Sequence, residues 1–169
     1  EKGKCYAVTH NPESNTSLLL SAEEEFIKKV ETLCRESGLS PARICCGTYI
    51  LLRHLLVEVG KKDPKGQPPD PQSGLIYIVC NAGSVCILSQ RGDQWLELRS
   101  RTDVYTDAPG PVLELLNPFR QQLAPPLSVA MIMDVANEEF TAAVKSFFED
   151  IPVEDYTEEN QLWHLLSES

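Results

Sequence analysis

Leu75-Ile76-Tyr77-Ile78-Val79-Cys80-Asn81-Ala82-Gly83-Ser84-Val85-Cys86-Ile87-Leu88 is the stretch that decides the fold. Two runs of β-branched, aliphatic and aromatic residues flank a short polar turn, which is the pattern of a tight hairpin. Arg91-Gly92-Asp93 marks a second turn. Beyond it Gln94 to Arg101 alternates, Leu96 and Leu98 against Glu97 and Arg99, as a half-exposed strand does. The three strands form an antiparallel meander.

Upstream of the meander, Lys61 to Ser73 (KKDPKGQPPDPQS) is a loop, because Pro68, Pro69 and Pro71 bar helix and strand alike. Two helices are expected before it. Ser21-Ala22-Glu23-Glu24 has the form of a capping box. Phe26, Ile27, Val30, Leu33 and Cys34 then lie on one helical face, and Gly38 supplies the left-handed C-terminal position. The second helix opens with Ser40 as cap and Pro41 at its first position, and runs to Gly60. Its apolar residues, among them Ile44, Ile50, Leu51, Leu55 and Val59, cover more than one face, which predicts a place at the centre of the core. Residues 1–20 read as a polar arm.

Downstream, Pro109-Gly110-Pro111 breaks the chain. A helix over Val112–Leu123 is expected to restart at Asn117-Pro118. Leu127 to Val135 is a continuous apolar run, read as a strand buried on both faces. Asn137 caps a helix that carries Phe140, Ala143, Val144, Phe147 and Phe148, and Thr157 caps a last helix over Glu158–Leu166. The order is α-α-β-β-β-α-β-α-α. The fold class is α+β, a mixed, mainly antiparallel sheet with the helices packed on one face. The expected organisation is a polar arm over 1–20, a single domain over 21–156, and an acidic amphipathic helix over 157–169.

At 169 residues the chain fits one domain and needs no disulfide or metal to build a core. The formal net charge of −10 argues against a phosphate-backbone binder. That charge is local. Glu149, Asp150, Glu154, Asp155, Glu158, Glu159 and Glu168 stand in a stretch without Lys or Arg, and setting them aside leaves 18 acidic against 15 basic residues. The six cysteines (Cys5, Cys34, Cys45, Cys46, Cys80 and Cys86) fall mostly inside helical or strand patterns, which points to free thiols and a reducing compartment, cytoplasm or nucleus. Asn15-Thr16-Ser17, a formal glycosylation acceptor, dissents. No apolar run is long enough to span a bilayer. The chain starts at Glu1 without a methionine or a signal-peptide pattern, which leaves open that it is a piece of a longer protein.

No constellation announces chemistry. Cys46 and His54 share a helix but stand eight residues apart, about 12 Å along its axis, too far for a nucleophile and its base. A three-residue loop at the first hairpin would set Cys80 opposite Cys86, yet a zinc site needs two more ligands. The nine glycines form no phosphate-binding fingerprint. Asp134 follows a buried strand and precedes a helix cap, where α/β enzymes often hold an acid, but a local turn role suits a carboxylate with no partner near in sequence. Arg91-Gly92-Asp93 matches an integrin-recognition tripeptide and is read as a hairpin turn. No catalytic residue, metal ligand or cofactor is assigned.

The C-terminal segment stands out. Leu162-Trp163-His164-Leu165-Leu166 has the Leu-x-x-Leu-Leu form behind an acidic stretch. It resembles the helical peptides of nuclear-receptor coactivators and of acidic activation domains. The resemblance implies docking of Leu162, Trp163, Leu165 and Leu166 into a partner's groove. Leu52-Arg53-His54-Leu55-Leu56 fits the same pattern inside a core helix, so packing on its own domain is the competing expectation. The functional expectation is a non-catalytic protein-protein interaction domain, a scaffold, adaptor or regulatory subunit of an intracellular complex. The alternative is an enzyme whose Cys, His and Asp134 are scattered along the chain.

Overall fold

The computed structural model describes residues 3–11, 16–41, 46–61, 73–92, 94–122, 127–159 and 164–165. The chain divides into two compact units, Glu1–Cys45 and Cys46–Ser169. The boundary therefore falls inside the single domain expected over 21–156.

The first unit is a hairpin followed by a helix. Strand β1 (Lys4–Asn11) pairs antiparallel with β2 (Thr16–Glu23), with Val8 opposite Leu19 and Tyr6 opposite Ser21. This corrects the polar arm. Lys4-Cys-Tyr-Ala-Val-Thr-His-Asn11 does alternate, but with small and weakly polar residues that read as loop. Helix α1 (Glu24–Glu36) starts after Glu23, and no side chain caps it. The capping box is thus mistaken, because Ser21 is spent in β2. The other end of the helix agrees with expectation. Gly38 has φ +74°, its N–H donates to Arg35 O, and Leu39 N–H donates to Cys34 O at 2.8 Å, which closes a Schellman motif.

The second unit is a five-stranded mixed sheet with helices on both faces. Its strands are β3 (Gly74–Asn81), β4 (Ser84–Arg91), β5 (Gln94–Thr102), β6 (Leu127–Met133) and β7 (Val153–Asp155), in the order β5-β4-β3-β6-β7. The meander is antiparallel, while β6 runs parallel to β3 and to β7. The α+β class and the mixed sheet are as the sequence predicts. Strand β7 is an addition, being three residues with no apolar pattern of its own.

Because side chains alternate across a strand, the sheet splits its apolar residues into two cores. Ile76, Ile78, Cys80, Val85, Ile87, Val129, Met131 and Met133 face α3 (Gly110–Gln122) and α4 (Glu138–Phe148), where Phe119, Phe140 and Phe148 are fully buried. Tyr77, Val79, Cys86, Leu88, Ala130 and Ile132 face α2 (Gly47–Lys61) through Leu51, Leu52 and Leu55. The expectation of helices on one face is corrected accordingly. So is the central place given to α2, since Arg53 and Val57 on its far side are exposed. Ser40 and Pro41 lie outside any helix, and Ile44 lies outside the described residues.

Two further details differ. Helix α3 runs through Pro118 without restarting. In β5 the register passes from Ser89↔Glu97 to Gln90↔Trp95, so Leu96 is a bulged residue. The bulge resets the alternation. Trp95 packs on the α2 side, and Leu98, opposite Leu88, lies on the same face but stays exposed.

Candidate functional site

The carboxyl ends of β3 and β6 are adjacent, parallel and topped by a turn. In open α/β sheets that edge is where ligands bind. The turn is Ala82-Gly83, with φ +46° and +73°, the geometry that lets two residues follow the twist of a hairpin. Alanine in the left-handed region costs about 1 kcal/mol, so something must hold the turn. Asp134, just past β6, does so. Its Oδ2 accepts Ala82 N–H at 2.8 Å and its Oδ1 accepts Val135 N–H at 3.0 Å, while its own N–H donates to Cys80 O.

Helix α2 joins the same cluster. Thr48 Oγ1 and Ser84 Oγ lie 3.2 Å apart, and Ser84 Oγ donates to Asn81 O at 2.6 Å. With its amide oriented to satisfy both neighbours, Asn81 donates to Asp134 Oδ2 at 3.3 Å and accepts Thr48 N–H at 3.2 Å. On the other side, Val104 N–H donates to Gly83 O, and a Cβ on Gly83 would lie 2.6 Å from Tyr105 Cε1. Each polar group of the cluster serves another member. The arrangement anchors a turn, in line with the local role read for Asp134.

Cys80 and Cys86 are not opposite one another. Asn81 pairs with Ser84, so Cys80 faces Val85 and Cys86 faces Val79. A two-residue turn stands where a three-residue loop was assumed, and the one-residue difference puts the sulfurs on opposite faces of the sheet. Burial pushes the Cys80 thiol up to about 12, with Asp134 next among the causes. Burial likewise pushes the Cys86 thiol up to about 11. Neither is a thiolate nucleophile near neutral pH. Cys5 and Cys46 are exposed, and Cys45 lies outside the described residues. Among the described residues no three His, Cys, Asp or Glu side chains are grouped to hold a metal ion, and no helix is long and apolar enough to cross a membrane.

In the second hairpin Arg91 pairs with Gln94 around Gly92, whose φ is +55°, and Gln90 Nε2 donates to Gly92 O at 2.6 Å. Arg91 and Gly92 thus belong to a tight turn. Asp93 and Asn15 lie outside the described residues. Asn137 caps α4 by accepting Phe140 N–H at 3.0 Å.

Thr157 does not head a described helix. It accepts Met133 N–H through Oγ1 at 3.0 Å, and Tyr156 N–H donates to Met131 O. The acidic segment therefore begins as an extension of the sheet edge. Of the tail motif, Leu165 is half-buried against the α2-side core and His164 is exposed. Leu162, Trp163 and Leu166 lie outside the described residues.

The first unit carries exposed apolar residues on its hairpin and on its helix. Val8 is 65% exposed and Leu19, opposite it, 58%; Tyr6 shares that face. On α1, Phe26 is 59% and Leu33 63% exposed, and the helix has no buried residue. The signal was present in the amphipathic stripe of α1, but it was spent on a predicted core.

No protein-family model matches the chain, and no curated protein matches it in sequence. Solved structures do match. The whole chain aligns with 60% of a Bacteroides thetaiotaomicron protein that has an actin-like ATPase fold and unknown function, at 11% identity and a TM-score of 0.57. In addition, 96% of it aligns with 57% of a chain from the PilM-PilN type IV pilus biogenesis complex, at 14% identity and a TM-score of 0.59. The chain thus spans somewhat under two thirds of the length of either. At such identities the likeness is one of fold alone, and the chain's α+β fold resembles part of the actin-like ATPase fold of the Bacteroides protein.

Proposed function

We propose that this chain is a non-catalytic protein-binding module of a multiprotein assembly, and that its hairpin–helix unit is the docking surface. The observation that carries the reading is the exposure of Val8 and Leu19, paired across the hairpin, and, on α1, of Phe26 and Leu33. An isolated two-stranded hairpin is marginal in water, and apolar patches of this kind mark protein interfaces. The structural neighbour in a two-protein pilus complex supports a role as a complex subunit. The free thiols support a reducing compartment, cytoplasm or nucleus. For the Leu162–Leu166 motif to dock on a partner, Leu165 has to leave its seat on the α2-side core.

The test is co-purification of partners with the intact chain and with a Val8→Lys/Phe26→Lys variant that keeps its fold. A partner held in fixed stoichiometry by the first and lost by the second supports the reading. Equal recovery overturns it.

A second reading is ligand binding at the Asp134 edge, favoured by the position of the Thr48–Asn81–Ser84–Asp134 cluster at the carboxyl ends of two parallel strands. Calorimetry with ATP distinguishes the two. Binding that Asp134→Ala abolishes in a folded protein favours the ligand site.

A further inference from the structure

We draw no further inference here: the strongest candidate, the uncovered apolar face of the hairpin β1–β2 and helix α1, belongs to the surface already described, and nothing in the structure shows what chemistry of partner covers it.

Discussion

The carboxylate of Asp134 accepts the backbone N–H of Ala82 at 2.8 Å, tying the end of β6 to the turn between β3 and β4. The same oxygen accepts a second hydrogen bond, from the Asn81 amide. Asp134→Ala removes both partners, while Ala82 must still hold a positive φ. The turn is near the surface, so water replaces part of the loss. The expected destabilisation is about 1–2 kcal/mol, read from the urea midpoint. An unchanged midpoint contradicts the anchoring role.

Gly83 meets two demands at once. Its φ is +73°, and a Cβ there would strike the Tyr105 ring at 2.6 Å. Gly83→Ala is expected to destabilise by about 1–3 kcal/mol. Part of that is steric, and Tyr105→Ala in the same chain should recover it. A double-mutant cycle measures the recovery, and strict additivity contradicts the contact.

The buried thiols give a pH signature. Cys80 and Cys86 are raised to about 12 and about 11 in the folded chain, whereas in the unfolded chain they ionise near the ordinary value of about 8.5. Above that value the unfolded state loses protons that the folded state keeps. Stability is therefore full below about 8.5 and falls as pH rises towards 11 and 12. Cys80→Ala with Cys86→Ala should flatten the decline in thermal scans between pH 8 and 10. An exposed-thiol reagent at pH 8 should label Cys5 and Cys46 quickly and leave Cys80 and Cys86 unlabelled until the protein unfolds.

Removing residues 157–169 deletes the Thr157 hydroxyl that accepts Met133 N–H and uncovers the seat of Leu165. One hydrogen bond and one half-buried leucine together contribute about 2 kcal/mol. The shortened chain should unfold at correspondingly lower urea. Full stability in the shortened chain means that the segment is free of its own domain.

The meander was legible because Ile76 to Leu88 is apolar on both faces and interrupted only at Asn81–Ser84. Helix α4 was legible through its Asn137 cap and phenylalanine spacing. The hairpin β1–β2 was hidden because Leu18 to Leu20 is flanked by serines, and Ser21-x-x-Glu24 imitates a helix start. Strand β7 was hidden because its pairing is dictated by the neighbour, β6, rather than by its own three residues. The two-faced packing was legible in part, since Leu127 to Val135 reads as a strand buried on both faces, but which helix covers which face is set by tertiary packing that local patterning does not encode. Asp134 was legible as a turn residue by its position alone. Its partners in the turn, Ala82 and Asn81, are 52 and 53 residues away, beyond the reach of any spacing argument. The apolar stripe of α1 was visible in the sequence, but periodicity reports that a face is apolar and not what covers it.

The proposed docking of another protein rests on the exposed apolar residues of the hairpin, Val8 and Leu19, and of α1, Phe26 and Leu33. The most direct measurement is quantitative co-purification from native cells, comparing the unaltered chain, Val8→Lys/Phe26→Lys and Asp134→Ala, each shown to be folded by circular dichroism. A stoichiometric partner is expected to be retained by the unaltered chain and by Asp134→Ala and lost from Val8→Lys/Phe26→Lys. Retention of that partner by all three, or its loss only from Asp134→Ala, would contradict it.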